Sequence, residues 1–425
     1  MVAQNTAYSK ANTHHNGEMT LSRRKFVSTA VAGASVASQA AGGPAKRFVQ
    51  VRGKQLVAPD GHVLKLRGIN LGNWLEPEGY MFLFEGGPQS PREIEAFINE
   101  LIGPADAETF WKAYRNAYIT SADIRFIQSC GFNSVRIPLH WKFFVERGNG
   151  FELLDPVIAW CREAGLWVIL DMHCAPGGQT GANIDDSWGY PWLYESAKDQ
   201  ELLANIWARI GQHYRDEPII LGYDLLNEPI PHFPQLKKYN ADLEPIYKRV
   251  TRAIRTVDPS HIVILGGAQW DSNFDVFGPP FDSNLLYQLH KYWMPPTHDS
   301  IKAYLEFRDR YNVPIWLGES GENTDEWVQK FVQTLEENDI GWCFWPYKKM
   351  EKSSCVVSVL KPSHWDEIVA LAKMPSGTGN SEKRIAGRLS VEQSRAALND
   401  LLANIRIEKC RVNPGYIKAL GLTVH

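Results

Sequence analysis

Ile219-Ile220-Leu221-Gly222-Tyr223-Asp224-Leu225 runs directly into Leu226-Asn227-Glu228-Pro229, and further along Val313-Pro314-Ile315-Trp316-Leu317 runs into Gly318-Glu319-Ser320. Both stretches are near-continuous apolar runs, the pattern of a parallel strand buried on both faces. Each delivers one carboxylate at its C-terminal end. In an α/β barrel that end is where catalytic groups sit. Two carboxylates so placed, on strands distant in sequence, are what cleavage of a glycosidic bond requires.

Outward from these two strings, strand-like and helix-like segments alternate. Candidate strands end near Asn70, Leu139, His173, Glu228, Gly267, Tyr292, Glu319 and Tyr347. Between them the 3.6-residue pattern predicts helices over Ala122–Ser129, Asp155–Ala164, Leu202–Tyr214, Pro245–Thr256, Ile301–Tyr311 and Thr324–Glu337. Eight such units predict a (β/α)8 TIM barrel, an α/β fold, rather than an open doubly wound sheet. Ahead of them Phe48–Val51 and Gln55–Val57 flank Arg52-Gly53-Lys54 as an N-terminal β-hairpin. Pro59-Asp60-Gly61 then turns the chain into Val63–Asn70, an arrangement able to plug the bottom of the barrel. The catalytic domain is expected over residues 47–373, with a C-terminal helical extension over 380–425, around Val391–Ile405, packed on it. Two long segments, Leu75–Ala117 and Ala175–Ser196, follow the first and third strands, where barrel loops build substrate sites.

The chain of 425 residues carries 22% charged and 44% hydrophobic residues, the balance of a soluble globular enzyme. A formal charge of −3, with no long basic stretch, argues against nucleic acid as a partner. Fifteen Trp and 16 Tyr supply flat faces of the kind that stack on sugar rings. Ser22-Arg23-Arg24-Lys25-Phe26-Val27, a weakly apolar run to Ala37 and small residues at Ser38 and Ala40 follow the grammar of a twin-arginine export signal over residues 1–40. The run is too short and too rich in small residues for a membrane span, so a periplasmic or extracellular monomer without membrane contact is expected. Six cysteines (130, 161, 174, 343, 355 and 410) include no Cys-x-x-Cys and are read as buried free thiols. No Gly-x-Gly-x-x-Gly follows the first strand, and Asp171-x-His173 has no second His-rich partner set, so neither a cofactor nor a metal is expected.

The polar residues at the strand ends assemble one pocket: Arg136 on the second strand, His173 on the third, Asn227 and Glu228 on the fourth. His290 and Tyr292 follow on the sixth, Glu319 on the seventh and Trp345 on the eighth. This ordered set resembles glycoside hydrolase family 5, the (β/α)8 retaining glycosidases that include cellulases and exo-β-1,3-glucanases. The resemblance implies that Glu228 is the general acid/base and Glu319 the nucleophile. It implies that Asn227 meets the sugar 2-hydroxyl, that Arg136 and Tyr292 hydrogen-bond the nucleophile, that His173 and His290 are pocket histidines, and that Trp345 lies under the sugar. Physical chemistry agrees with these roles: a guanidinium neighbour favours an ionised nucleophile, and burial beside a second carboxylate keeps an acid protonated. His140, Trp141, Glu76, Trp188, Tyr190 and Trp192 are further candidate sugar contacts.

Arg67-Gly68-Ile69-Asn70-Leu71-Gly72-Asn73-Trp74-Leu75 and Ala175-Pro176-Gly177-Gly178-Gln179 are similar to the first-strand and third-strand segments of exo-β-1,3-glucanases. The expected activity is therefore a secreted retaining β-glycosidase acting on a β-glucan or oligosaccharide. The alternatives are a β-mannan- or glycolipid-cleaving member of the same family and a non-catalytic sugar-binding relic of the fold. Possession of both Glu228 and Glu319 argues against the relic.

Overall fold

Residues 47–424, apart from residue 147, are described by a computed structural model. The expected export signal lies outside the described residues. Gln50–Arg52 (β1), Gln55–Val57 (β2) and Val63–Leu64 (β3) form a small antiparallel sheet. Sequence alone predicts one strand from Val63 to Asn70. The structure divides that run, because Val63–Leu64 pairs with β2 while Arg67–Asn70 (β4) pairs with the barrel on both sides.

Seven more strands complete the ring: Ser134–His140 (β5), Trp167–Cys174 (β6), Ile220–Asp224 (β7), Ile262–Gly266 (β8), Leu285–His290 (β9), Ile315–Glu319 (β10) and Gly341–Phe344 (β11). All pairings between neighbours are parallel, and β11 pairs with β4 to close the barrel. Nearly every strand residue is buried, as expected of a sheet covered on both faces. Inside the lower barrel Ile169, Leu221, Ile262, Ile264, Leu286 and Trp316 form one apolar cluster, and Val49, Leu56, Leu64 and Leu66 close it from below. Each aliphatic side chain so buried contributes about 1.5–3 kcal/mol, so the N-terminal sheet is an integral floor.

Helices fill the intervals. The helix expected from Leu202 begins earlier, at Ala197, because Ser196 Oγ accepts the Asp199 N–H at 3.1 Å and caps it. The first-strand loop carries helices Pro91–Ile102 and Pro104–Tyr118, the former opened by a capping box between Ser90 and Glu93.

Helix Val391–Asn404 lies against these two helices, and Arg384 holds Glu100 at 2.7 Å. The C-terminal extension is more than helical. Lys348–Met350 (β12), Val357–Val359 (β13) and Arg411–Val412 (β14) form a second small sheet in which β14 pairs antiparallel with β13. Strands of two and three residues are too short to leave a periodic signal in sequence. All six cysteines are free thiols and five are buried. Among the described residues no helix is long and apolar enough to cross a membrane.

Candidate active site

The site rests on one buried cation. Arg136, on β5, is fully shielded from solvent, and its Nε donates to Asp224 Oδ2 at 2.8 Å. Nη1 donates to Asn70 Oδ1 at 3.1 Å and to Glu319 Oε1; Nη2 donates to Asn227 Oδ1 at 2.9 Å and faces Asp171 Oδ1 at 3.0 Å. The planar five-donor fork thus ties together β4, β6, β7 and β10. Burial works against the Arg136 charge, but Asp171, Asp224 and Glu319 outweigh it and raise its pKa. Asp171 is itself pushed up to about 7 by burial, against the pull of Arg136. Both aspartates interrupt apolar strands. An acid inside such a run demands a buried partner, a sequence signal that the strand-end reading passed over for Asp224.

Glu319 closes β10, and the Tyr292 hydroxyl donates to its Oε2 at 3.1 Å. Arg136 and Tyr292 therefore grip opposite oxygens of this carboxylate. Glu228 does not end a strand, as the sequence pattern predicts. β7 stops at Asp224, and Glu228 stands beyond it with φ 47°, in the left-handed region. Ladder bonding ends because the Glu228 N–H turns to Asp271 Oδ2 at 3.0 Å instead of a neighbouring strand. His290 Nδ1 lies 2.9 Å from Glu228 Oε1 and 3.7 Å from Glu319 Oε2. One carboxylate oxygen of Glu228 and one of Glu319 lie within 4.8 Å of each other. Burial raises the Glu228 carboxyl to about 7, and it lowers His290 to about 3 and His173 to about 4. At neutral pH both rings are uncharged, and Glu228 is poised to give or take a proton.

His173 Nδ1 donates to Asp171 Oδ2 at 2.7 Å, leaving Nε2 to accept from Asn227 Nδ2 at 3.2 Å. Its ring stacks on Trp345 with centroids 5.6 Å apart and planes 12° apart. Trp345 Nε1 donates to the Tyr80 hydroxyl at 2.7 Å, so the indole is fixed from two sides. His173, Asn227, Glu228, His290, Tyr292, Glu319 and Trp345 line one cleft of about 780 Å³, and Arg136 lies beneath it.

Sequence reasoning missed several lining residues. Glu78 and Tyr80 come from the first-strand loop, Glu322 from beyond β10, and Phe233, Trp270 and Trp293 stand at the rim. Trp293 is 71% exposed with φ 52°, and Trp270 has φ 61°, backbone states that aromatic residues seldom adopt and that no sequence pattern announces. The further sugar contacts proposed from sequence do not line this cleft. Trp188 is exposed under the Arg92 guanidinium, and Tyr190 shares a hydrogen bond with Tyr239. Trp192 tilts against the Tyr190 ring, and Trp141 packs against the main core. His140 faces Asp186 at 3.2 Å, and Glu76 is wholly buried.

Among the described residues two groups bring metal-ligand atoms within 4.8 Å: Glu76, Glu78 and His173, and Glu228, His290 and Glu319. In the first, both ring nitrogens of His173 are already hydrogen-bonded. In the second, the ring nitrogen of His290 that faces the carboxylates is bonded to Glu228. Holding a cation would cost either set these bonds.

The site geometry and the known proteins converge. At 29% identity over 345 residues, spanning 71% of each chain, this sequence is similar to a β-xylosidase of Phanerodontia chrysosporium. It is 24% identical to endoglucanase C of Acetivibrio thermocellus, over 57% of this chain and 88% of that one. Among solved structures, an endogalactoceramidase shares the fold at TM-score 0.57 and 19% identity, over 89% of this chain and 86% of the other. A rutinosidase from Aspergillus niger does so at TM-score 0.55 and 19% identity, over 68% and 92%. The profile of the Cellulase family matches residues 98–351, the stretch that supplies Arg136, Glu228, Glu319 and Trp345, and the chain belongs to that family, glycosyl hydrolase family 5.

Proposed function

We propose that this glycoside hydrolase cleaves β-glucosidic bonds of glucans or oligosaccharides with retention of configuration, by double displacement. The observation that carries the reading is the approach of Glu228 and Glu319 to within 4.8 Å through one oxygen each. Inverting enzymes need about 6.5–9.5 Å between carboxyl groups to admit a water molecule, and retaining ones about 5–5.5 Å. In the first step Glu319, gripped by Arg136 and Tyr292, attacks the anomeric carbon. Glu228 gives its proton to the glycosidic oxygen as the bond to the leaving group breaks. Glu228, now a carboxylate, takes a proton from water, which attacks the same carbon and releases Glu319. Trp345, held flat by His173 and Tyr80, offers its face to the sugar ring.

A second reading, hydrolysis of β-xylosides, is favoured by the 29% identity to the Phanerodontia β-xylosidase over 345 residues. The deciding experiment compares 4-nitrophenyl β-glucoside with the β-xyloside, then profiles products from β-1,3-, β-1,4- and β-1,6-glucans. The anomeric proton of fresh product is followed by NMR. β-Anomer appearing first supports double displacement; α-anomer first rules it out. We also propose export of the protein, on the strength of Ser22–Val27 and the run that follows. Cell fractionation tests this, and retention of the full-length chain in the cytoplasm refutes it.

A further inference from the structure

Asp271 is fully buried and is not among the residues lining the cleft, yet it reaches both the backbone of Glu228 and the ring that touches the Glu228 carboxyl. Its Oδ2 accepts the Glu228 N–H at 3.0 Å and stands 3.3 Å from His290 Nε2. That nitrogen is buried and has no aligned hydrogen-bond partner among the described residues.

The chain goes to some cost to put the carboxyl there. Gln269, Trp270 and Asp271 have φ values of 53°, 61° and 55°, three successive left-handed residues, none of them glycine. Such a backbone state is costly for a residue with a side chain and persists only where the surroundings enforce it. Gly266 makes the room, because a Cβ there would fall 1.9 Å from Asp271 Oδ1. Gly318 likewise clears His290, whose Nε2 would lie 2.9 Å from an added Cβ.

A histidine ring in contact at both nitrogens has its tautomer chosen by the stronger constraint. Oδ2 receives the Glu228 N–H and stands 3.3 Å from Nε2 as an acceptor, so the tautomer that this contact favours carries its proton on Nε2. The other charged groups near this carboxyl are Asp224, Glu228 and Arg136, and burial first, then Asp224 and Glu228, raise the Asp271 pKa. The choice of tautomer holds in either state, because a proton carried on Oδ1 leaves Oδ2 an acceptor.

We propose that Asp271 is a positioning residue for the acid/base: through Oδ2 it holds the Glu228 backbone and keeps the His290 proton on Nε2, so that Nδ1 accepts a hydrogen bond from the protonated Glu228 carboxyl until that proton passes to the glycosidic oxygen. This rests on the reading of Glu228 as acid/base. The nitrogen 2.9 Å from Glu228 Oε1 is then an acceptor that favours the protonated acid and does not compete to donate a proton of its own.

The test uses kcat/KM for aryl β-glycosides of graded leaving-group pKa. Asp271→Ala should lose about tenfold or more on poor leaving groups, part of the 10²–10⁴ that general acid catalysis supplies, and little on a dinitrophenyl glycoside. Asp271→Asn, which keeps an oxygen at the Oδ2 position, should recover most of that loss. Glu228→Ala is the reference: if it shows no dependence on leaving group, the acid/base reading itself fails. If it does show one while Asp271→Ala falls equally on every substrate, only the role of Asp271 is overturned. ¹⁵N-histidine NMR of the unaltered enzyme at pH 6 is independent of any variant's folding. A neutral His290 protonated on Nε2 is expected, and one protonated on Nδ1 overturns the proposal.

Discussion

Arg136 Nη2 donates to Asn227 Oδ1 at 2.9 Å, and that contact links the guanidinium under Glu319 to the residue next to Glu228. Arg136 lies within β5, and Asn227 belongs to the segment just past β7. One guanidinium therefore ties the β10 side of the cleft to the segment that carries Glu228. Glu319 shares the same guanidinium through Nη1.

The consequence for stability is large. Replacing Arg136 by Met leaves Asp171, Asp224 and Glu319 without their cation. Breaking a buried ion pair from one side costs about 3–5 kcal/mol. Arg136→Lys retains the charge but not the fork, so it should fold better than the Met variant and still lose activity. Thermal unfolding and kcat/KM measured on both variants check this. Equal stability of the Met variant and the parent would contradict the network.

The pH dependence follows from Glu228. With its carboxyl raised to about 7, the proton it must donate is present below that pH and lost above it. kcat/KM for a substrate with a poor leaving group should therefore fall on the alkaline side with a midpoint near pH 7. Stability moves in the same direction. Between the ordinary carboxylate value of 4.5 and about 7 the folded chain holds a proton that the unfolded chain has released, so folding is favoured less as pH rises through that window. The effect is about 3 kcal/mol at 1.36 kcal/mol per pKa unit. Glu228→Gln removes it, and should raise Tm over the parent more at pH 8 than at pH 5. A uniform Tm difference across that range would show that Glu228 is not the strained group.

Gly72 gives a test of the sugar platform from the side of the first-strand motif. A Cβ at this position would lie 2.2 Å from the Trp345 ring. The ring cannot yield easily, because His173 stacks on it and Tyr80 accepts its N–H. Gly72→Ala should lower kcat/KM on the order of 10²-fold, the penalty for a misplacement of about 1 Å, and destabilise by about 1–3 kcal/mol. Steady-state kinetics with thermal unfolding measures both, and unchanged kinetics would remove Trp345 from the binding surface.

What could be read from sequence is what strand periodicity carries. A buried parallel strand shows itself as an apolar run, and the first polar residue after it is thrown toward the mouth of the barrel. Glu319 is legible for that reason, whereas His173, Asn227 and Trp345 are reached through the ordered set that resembles the family. Asp271 is not legible, because its place depends on Gln269, Trp270 and Asp271 adopting left-handed backbones without a glycine among them. Trp293 escapes notice for the same cause. Trp188 and Trp192 err in the opposite direction: their loop follows a barrel strand, but its aromatic rings pack against Arg92 and Tyr190 rather than toward the cleft. Strand β14 pairs through only two residues, and nothing in a two-residue pattern distinguishes it from a loop.

The proposed role of Glu319 as nucleophile can be separated from its surroundings by small-anion rescue. Glu319→Gly opens a space under the anomeric carbon while leaving Glu228, His290 and the rim in place. Turnover of a substrate with an activated leaving group should then vanish, since no carboxylate remains to form the covalent intermediate. Azide or formate can enter that space and attack from the same face that Glu319 used. Because only one displacement then occurs, the product should be the α-glycosyl azide, inverted relative to the β-linked substrate. The same anion acting on a Glu228→Ala variant enters from the opposite face, after the glycosyl-enzyme has formed, and should give the β-azide. Two azides of opposite configuration, identified by NMR, would assign each carboxylate its role. The same anomer from both variants would mean that Glu228 and Glu319 do not divide the reaction between them.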